Sequence, residues 1–426
     1  MKVAIVTGLC IERDAISDSV VEQRRVLLGA GHEVMVYAHV GSALGPGEVV
    51  ETADPWWMWS HPDYAAADLV ILHHGIHYDL FNALLLGHPR AALVVHFHNI
   101  TPPELLSGAS ARAATDGLDQ LAIASRAHGA WCDSRHNAEV LVANADIDMA
   151  DIRVLPLSVP GVCEASRDAK PGGRCGFVSV GRLVEAKGYR ELIGAYASLP
   201  ENVRDAHPLR IIGRRMDSSA AHPEELVALA AELGVQEHVS VEVDLPAAER
   251  DAAYRNSLVF VTASHHEGFC VPVIEALAAG CRVVATEVGA LPETVGGMGL
   301  VVPLGEADAF AGALLASLDE GSAPDGATVY RYVQTFSPES FVRRTLFEAE
   351  AALVRGTGRT MAEVRGDRVQ FAEKQAALLS VLACPRCRAG LSVEGAVEVA
   401  GAIAAADLTC PRDGRVGTIR DLSLIH

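Results

Sequence analysis

The chain has 426 residues and a mass of 45.0 kDa, which is enough for two or three domains and excludes a single small binding module. Its 35 basic and 54 acidic side chains give a net charge of -19, which disfavours nucleic acid and anionic membranes as partners and favours a small molecule. Half of the residues are apolar and 21% are charged, which excludes extensive disorder and a coiled coil.

Short segments rich in Val, Ile and Leu alternate with helical stretches from the first residue onwards. This alternation is typical of an α/β protein, in which helices cover both faces of a parallel sheet. A helix with apolar positions from Val20 to Leu28 follows the first strand and ends at Gly31. We predict a first series of strands at residues 2–8, 33–40, 69–74, 91–98, 129–133 and 152–157.

A linker rich in proline and glycine, residues 159–174, separates this series from a second one. Two similar halves that face each other across a linker make a cleft, because open parallel sheets bind ligands at the carboxyl ends of their strands. We therefore predict Rossmann-like domains at 1–165 and 174–336. The strands of the second domain are predicted at residues 176–180, 209–212, 239–243, 258–262, 282–285 and 299–302.

The rest of the chain is predicted to form a C-terminal helix and connector, 337–377, and a small separate module, 378–426. Residues 1–9 are apolar, but Glu12 follows too soon after them for a secretory signal peptide. No uncharged apolar segment is long enough to span a membrane. Six of the cysteines are scattered at apolar sites, which suits a reducing compartment. The sequence therefore predicts a cytoplasmic protein.

The segment 264–280, SHHEGFCVPVIEALAAG, contains two glutamates eight residues apart. We place Glu267 in a loop after a strand, and Glu275 in the first turn of a short helix that Pro272 opens. Glu267 could accept hydrogen bonds from sugar hydroxyls and Glu275 from a ribose diol, while backbone amides of the turn receive oxygen ligands. The alternative is that Glu267 caps a turn and that Glu275 is a solvated acid stabilised by the helix dipole.

Two cations lie in the segment VGRLVEAKGYRELI, residues 180–193, after the first strand of the second half. A diphosphate needs two fixed cations when no metal is present, and Arg182 and Lys187 could supply both. The alternative is that both are ordinary surface cations at a turn between a strand and a helix.

Together, the two segments resemble the donor half of retaining glycosyltransferases of family 4, which have the GT-B fold. The likeness runs from residue 176 to about 318 and includes a strand-GR-x4-KG element, an E-x7-E element and the later GALPE at 289–293. The resemblance implies that Arg182 and Lys187 bind the nucleotide diphosphate, that Glu267 binds the donor sugar and that Glu275 binds the ribose. It also implies that sugar or phosphate oxygens are bound by the amides of Gly268, Phe269 and Cys270.

The first half resembles the same family through HNITPPEL at 98–105 and WCDSRHNAEVL at 131–141. Many relatives have a paired-glycine loop after the first strand, where this chain has Gly8 followed by Leu9, and the resemblance makes Gly8 a donor-binding position. His98 matches a histidine that lies beside the donor sugar in relatives, so the implied catalytic set is His98, Glu267, Arg182 and Lys187. Taken alone, a histidine at a strand end is more often a hydrogen-bonded structural residue.

The C-terminal module contains CPRC at 384–387 and CPRD at 410–413, which resembles the short zinc-ribbon family of methyltransferase activators. The resemblance implies a structural zinc held by Cys384, Cys387, Cys410 and Asp413, where the aspartate replaces the fourth cysteine. Without metal, the module would be a docking surface for a protein partner.

Two further clusters invite other interpretations. The aromatic segment PWWMW, residues 55–59, could stack on sugars, but we expect its tryptophans to be buried. The nearby His73, His74 and His77 have no acidic partner at a recognisable spacing, so we predict no metal site there.

From the resemblance we predict a retaining glycosyltransferase that moves a sugar from a UDP- or GDP-sugar to a small-molecule, glycan or lipid-linked acceptor. No metal cofactor is expected, because the leaving diphosphate, stabilised by the two cations, would help to deprotonate the acceptor on the same face. There are two alternatives. The protein could be a nucleotide-sugar epimerase or phosphorylase on the same fold, or it could be a noncatalytic partner-binding protein.

Overall fold

The computed structural model describes residues 1–12, 14–164, 173–216, 219–319, 321 and 324–358, and the backbone of three strands between 392 and 420. The described chain divides into two compact units. The first contains residues 1–103 and 107–158 and the helix Pro338–Thr357, and the second contains residues 104–106 and 159–337.

A seven-stranded sheet forms the centre of the first unit, and all its neighbouring strands are parallel. Its strands are β1 (Lys2–Val6), β2 (Glu33–Ala38), β3 (Val49–Glu51), β4 (Leu69–His74), β5 (Ala92–Phe97), β6 (Ala130–Cys132) and β7 (Ile152–Val154). Their order across the sheet is β3-β2-β1-β4-β5-β6-β7. The sequence pattern did not predict β3, because this edge strand has only three residues and none of them is buried.

Helices connect these strands. They are α1 (Ala15–Gly29), α2 (Pro55–Ser60), α3 (Pro62–Ala65), α4 (Ala83–Leu86), α5 (Gly108–Gln120) and α6 (Arg135–Asn144). The predicted helix after the first strand is confirmed as α1. It begins after Asp14, whose carboxylate accepts a 2.9 Å hydrogen bond from the Ser17 amide, and it ends before Gly31, which has a φ of 78°.

A six-stranded parallel sheet forms the centre of the second unit. Its strands are β8 (Phe177–Leu183), β9 (Leu209–Arg215), β10 (Val239–Val243), β11 (Val259–Thr262), β12 (Arg282–Thr286) and β13 (Leu300–Val302). Their order is β10-β9-β8-β11-β12-β13. The helices are α7 (Tyr189–Ala197), α8 (Glu201–Ala206), α9 (His222–Glu232), α10 (Ala247–Asn256), α11 (Val271–Ala278), α12 (Leu291–Val295), α13 (Ala307–Ala316) and α14 (Gly326–Gln334).

The two sheets share one feature of strand order that positions the sites. In each, the first strand of the unit lies inside the sheet, and the chain adds strands on one side of it before returning to the other side. Ligands of open α/β sheets bind at this reversal, outside the carboxyl ends of the two strands that flank it. These strands are β1 and β4 in the first unit and β8 and β11 in the second. The predicted fold of two parallel-sheet α/β domains is confirmed.

The last long helix, α15 (Pro338–Thr357), packs against the first sheet although it follows the second unit in the chain. Its Phe341 and Ala352 side chains are buried in the same core as Ile5 and Ile71 of the central strands. This helix therefore closes the apolar core of the first unit.

The three strands of the tail are β14 (Ser392–Val399), β15 (Ala402–Cys410) and β16 (Gly414–Arg420), and they pair antiparallel in that order. Of the predicted zinc ligands, Cys384, Cys387 and Asp413 lie outside the described residues, and Cys410 is described only as the last backbone position of β15. The zinc-ribbon assignment therefore stays a prediction. Across the described part of the chain, no helix combines the length and the apolar character needed to cross a membrane.

The expectation that the aromatic segment is buried is wrong for two of its tryptophans. Trp56 is 66% exposed and Trp57 is 47% exposed. Met58, the next residue in the helix, is fully buried. Trp59 donates a 2.8 Å hydrogen bond from its indole N–H to the Gly87 carbonyl. Because α2 has only six residues, it turns a single narrow face inwards, and its other side chains project outwards.

The packing of α15 predicts unequal effects of the same substitution at two phenylalanines of that helix. Phe341→Ala should lower the free energy of unfolding of the first unit by about 3–5 kcal/mol, because Phe341 is 2% exposed and its removal leaves a cavity. Phe347→Ala, at a position that is 42% exposed, is the matched control and should cost about 1 kcal/mol or less. Urea unfolding followed by tryptophan fluorescence measures both, since all four tryptophans lie in this unit. Equal losses would contradict the packing.

Candidate active site

A buried ion pair lies at the reversal point of the second sheet. The Lys187 ammonium donates a 2.5 Å hydrogen bond to Oε1 of Glu267, and the two side chains are 17% and 9% exposed. The hydroxyl of Ser264, which is fully buried, donates to the same oxygen at 2.8 Å. Lys187 follows β8 and Glu267 follows β11, so the two strands that flank the reversal each contribute one charge.

Two glycines allow the loops of this pair to approach so closely. Gly188 has a φ of 64°, and a Cβ there would overlap the carbonyl oxygen of Ala263 at the end of β11. Gly289 has a φ of 52°, and a Cβ there would overlap the carbonyl oxygen of Glu267, which accepts a 2.8 Å hydrogen bond from the Ala290 amide. The backbone around both charged residues is therefore fixed from two sides.

Opposing effects set the ionisation of Glu267. Its burial would raise the pKa of the carboxyl, but the charge of Lys187, with hydrogen bonds from Lys187, Ser264 and the Cys270 thiol, outweighs burial and holds the pKa below its usual value. Burial followed by the nearby Glu267 charge raises the pKa of the Cys270 thiol well above its usual value. Glu267 is therefore an anion in the folded protein, and Cys270 is a neutral hydrogen-bond donor.

The turn after Glu267 leads directly into α11. Cys270 precedes the helix in the left-handed conformation, with a φ of 73°, and Phe269 packs edge-on against Phe336 with ring centroids 5.6 Å apart. The N–H groups of Phe269 and Cys270 have no acceptor within the described residues. They therefore remain available as donors, and their predicted role in binding sugar or phosphate oxygens stays a prediction.

Glu275 lies in the second turn of α11, so the expectation of a first-turn position is wrong by one turn, because the helix already begins at Val271. Its Oε2 accepts a 3.0 Å hydrogen bond from the Tyr254 hydroxyl, and its Oε1 lies 3.7 Å from the Arg250 guanidinium. Burial raises the pKa of Glu275, while Arg250 and Tyr254 act in the opposite direction. Arg250 and Tyr254 thus offset only part of the cost of burying the Glu275 carboxylate, so further hydrogen-bond donors would stabilise its charge.

The structure does not place Arg182 as the sequence suggests. The arginine lies within β8, beside Arg214 of β9 in the register, because β8 extends to Leu183 and does not end at residue 180 as predicted. Its side chain is exposed and forms no salt bridge with any described residue. Arg182 thus takes no part in the Lys187–Glu267 pair. Of the two cations predicted to bind a diphosphate, Lys187 is paired with a carboxylate and Arg182 forms no salt bridge with any described residue.

In the first unit, the predicted His98 has both ring nitrogens occupied. Nδ1 lies 2.9 Å from Oδ2 of Asp133, and Nε2 lies 2.8 Å from Nδ1 of His73. Burial would raise the pKa of Asp133, but His98, together with hydrogen bonds from His96 and His98, lowers it to about 2. His98 is therefore fixed by its neighbours and has no nitrogen left for a ligand in this arrangement.

Two other predictions concern the same edge of the first sheet. Gly8 is buried after β1, and a Cβ there would lie 3.1 Å from Cβ of Tyr78, so the glycine allows a close approach of that side chain. Nitrogens of His73, His96 and His98 lie within 4.8 Å of one another, the spacing of a possible metal site among the described residues. Because these nitrogens are hydrogen-bonded to one another and to Asp133, we assign them to a hydrogen-bond network.

Sequence reasoning missed several residues of these clusters. Ser264 lies in the segment that was singled out, where its position at a strand end was a usable signal. Arg250 and Tyr254 lie four residues apart on one face of α10, but no motif connects that helix to Glu275. Asp133 lies in the segment WCDS, and nothing in the sequence shows that its carboxylate meets His98.

The second unit resembles a known protein family. Residues 165–327 match the family model described as "Glycosyl transferases group 1". The chain is 32% identical over 282 residues to the D-inositol 3-phosphate glycosyltransferase of Mycolicibacterium gilvum, a match that covers 63% of this chain and 58% of the relative. It is 31% identical over 170 residues to the O-antigen chain mannosyltransferase B of Escherichia coli, which covers 39% and 43%. The chain thus spans less than two thirds of the length of these relatives.

Solved structures share the fold at low sequence identity. HepE from Anabaena, solved in complex with UDP, superimposes with a TM-score of 0.64 at 17% identity, and the match covers 82% of this chain and 100% of that one. The lipopolysaccharide outer core galactosyltransferase WaaB, in its apo form, gives a TM-score of 0.61 at 15% identity, covering 82% and 99%. The two-sheet α/β fold of this chain is therefore shared with these solved structures.

The buried ion pair predicts a pH-dependent effect of one substitution. Lys187→Met leaves the Glu267 carboxylate buried without its counter-ion and should cost about 3–5 kcal/mol of stability at neutral pH. An unpaired buried carboxyl has a raised pKa, so the loss should shrink as the pH falls and the group takes up a proton. The double variant Lys187→Met/Glu267→Gln removes both charges and should recover most of the loss. Calorimetry at neutral and mildly acidic pH measures this, and equal stability of the single and double variants at neutral pH would contradict it.

Proposed function

We propose that this protein is a retaining glycosyltransferase that moves a sugar from a nucleotide sugar to an acceptor without a divalent metal. The observation that carries the proposal is the buried Lys187–Glu267 pair at the reversal point of the second sheet, within the stretch that matches group 1 glycosyl transferases. The names of the matched relatives support glycosyl transfer, and the UDP-glucose complex of HepE supports a UDP-sugar as donor.

The diphosphate of the donor is assigned to Lys187, Arg182 and the turn before α11. An ammonium group has three N–H donors, so Lys187 can hold Glu267 with one and phosphate oxygens with the others. Arg182 adds an exposed guanidinium, whose planar fork suits a phosphate. The N–H groups of Phe269 and Cys270, with that of Gly268, face oxygens of the sugar or phosphate.

The two glutamates are assigned to hydroxyl groups of the donor. Glu267 stays ionised because Lys187 and Ser264 compensate its burial, so it accepts hydrogen bonds from the transferred sugar. Glu275 accepts hydrogen bonds from the ribose diol, which would stabilise a carboxylate whose pKa burial has raised. The Tyr254 hydroxyl, which donates a hydrogen bond to Oε2 of Glu275, fixes the orientation of this carboxylate.

Catalysis in this proposal is mostly electrostatic. As the glycosidic bond to the diphosphate breaks, negative charge develops on the leaving oxygens, and the cations and amides around them stabilise that charge more in the transition state than before it. The leaving group takes the proton of the acceptor hydroxyl on the same face of the sugar, so the anomeric configuration is retained.

We assign donor binding to a domain at 174–336 and the acceptor to a domain at 1–165, in which Gly8 and His98 lie at the carboxyl edge of the sheet. A small phosphorylated polyol is a reasonable first acceptor to test, because several relatives are named for D-inositol 3-phosphate. The proposal also includes a C-terminal helix and connector at 337–377 and a zinc-binding module at 378–426 that contacts a protein partner. It places the protein in the cytoplasm.

The ribose assignment is tested at Glu275. Glu275→Gln should weaken UDP-glucose binding by about tenfold or more, since a lost charged hydrogen bond costs about 1.5–3 kcal/mol. Glu232→Gln, at an exposed position of α9, is the matched control and should leave the affinity unchanged. Titration calorimetry measures both, and circular dichroism checks that the fold is retained. Unchanged affinity in Glu275→Gln would remove the ribose assignment.

The reaction itself is tested by product analysis. With UDP-glucose and an acceptor panel that includes inositol phosphates, the enzyme should release UDP at a rate that excess EDTA leaves unchanged, and NMR should show a retained anomeric configuration. An inverted product, or activity that chelation abolishes and magnesium restores, would overturn the mechanism. A donor that isomerises without acceptor would indicate an epimerase instead.

A further inference from the structure

Five side chains in the first unit form a closed ring of hydrogen bonds. Gln23 Nε2 meets His96 Nδ1 at 2.7 Å, and His96 Nε2 meets Asp133 Oδ1 at 3.0 Å. Asp133 Oδ2 meets His98 Nδ1 at 2.9 Å, and His98 Nε2 meets His73 Nδ1 at 2.8 Å. His73 Nε2 meets Gln23 Oε1 at 3.2 Å, which closes the ring.

The ring is shielded from water. Gln23 and His96 are fully buried, His73 is 1% exposed, and the side chains of His98 and Asp133 are each 3% exposed. Helix α1 supplies the glutamine, while the ends of three adjacent strands, β4, β5 and β6, supply the other members. Because water cannot replace a missing partner at this depth, each of the five contacts needs a hydrogen atom of its own.

Counting hydrogens gives the charge state of the ring. The glutamine amide supplies one hydrogen to the ring and each neutral imidazole supplies one, whereas a carboxylate supplies none. These sum to four hydrogens for five bonds. We propose that the ring holds one additional proton, that His98 carries it as an imidazolium ion, and that Asp133 is the positioning residue that keeps it there.

The orientation of Gln23 places the proton. Its Nε2 donates to His96 Nδ1, so His96 is protonated at Nε2 and donates to Asp133. Its Oε1 accepts from His73 Nε2, so His73 Nδ1 is an acceptor, and the hydrogen between the two rings belongs to His98. His98 therefore donates from both nitrogens and Asp133 accepts at both oxygens.

Burial is the first cause that keeps the other two imidazoles of the ring neutral. Burial and then the His98 charge lower the pKa of His96 to about 4, and burial with the charges of His96 and His98 lowers the pKa of His73 well below its usual value. Outside the ring, His74 on β4 interacts electrostatically with His98 and Cys132 on β6 with Asp133, and burial holds both groups neutral. The ring is then electrically neutral as a whole, with one buried cation beside one buried anion.

The geometry fits a shared proton better than a metal ion. The ring planes of His73 and His98 lie 15° from parallel with centroids 5.0 Å apart, and the 2.8 Å between His73 Nδ1 and His98 Nε2 is the distance of an N–H···N hydrogen bond. A metal bound by both would require the rings to turn towards a common third point. The inference concerns the state of His98 and stands whether or not the proposed transferase activity does.

A fixed imidazolium has a functional consequence. Because both N–H groups are engaged, His98 keeps its positive charge beside the Asp133 anion and does not exchange a proton with a ligand. A free histidine would lose this charge around neutral pH, whereas the ring would lose a hydrogen bond and strand the Asp133 anion if its proton left.

Histidine-selective ¹⁵N NMR of the full chain tests the proposal. From mildly acidic to mildly basic pH, the wild-type spectrum should contain one histidine with both nitrogens protonated and no pH-dependent shift, while exposed histidines titrate. The His98→Gln variant should lose that signal and so assign it. A neutral His98 at pH 7.5, or a doubly protonated signal that survives in His98→Gln, would overturn the proposal.

The Asp133→Asn variant provides the matched test. An asparagine amide supplies one hydrogen, so five hydrogens then serve five bonds with all three imidazoles neutral. We expect the doubly protonated signal to disappear while the fold is retained. A persistent imidazolium in Asp133→Asn would contradict the role of Asp133, and if this variant does not fold, the wild-type spectrum decides the question by itself.

Discussion

The right-handed crossover of the β-α-β connection is the constraint on which both polar clusters depend. Each sheet grows outwards from its first strand on one side and then on the other, so successive crossovers place their helices on opposite faces. The loops that follow the two central strands thereby diverge at the carboxyl edge of the sheet. Lys187 and Glu267 occupy that position in the second sheet, and His73 lies at the end of one such strand in the first.

Much of the fold could be predicted because most strands are buried on both faces and appear as continuous apolar runs, as in Ala92–Phe97. The full length of β8 could not, because a glycine and an arginine carry no strand signal, and pairing with β9 alone keeps them extended. The motifs singled out Lys187 and Glu267 separately, but they did not predict the ion pair between them. The ring around His98 could not be predicted, because its members are brought together only by the fold, with Gln23 and His96 separated by 73 residues.

Two buried carboxylates show how the protein keeps charge inside its cores. Asp133 and Glu267 lie in different units, yet each keeps a lowered pKa because a cation and several donors outweigh the cost of burial. Glu275 has its nearest cation at 3.7 Å and one hydroxyl donor, and its pKa is raised. The difference follows from the number and distance of donors, so a ligand that adds donors at Glu275 would make the third carboxyl resemble the other two.

The return of α15 to the first sheet affects how the chain emerges from the ribosome. Synthesis delivers the strands of the first sheet early, but the helix that covers part of its apolar face is made only after the whole second unit. The second unit is continuous apart from residues 104–106, so it can begin to fold as it leaves the ribosome. Until α15 is made, Ile5 and Ile71 lack the apolar side chains of that helix, which share their core in the folded protein. During that interval the nascent chain presents an uncovered hydrophobic surface, of the kind that molecular chaperones bind.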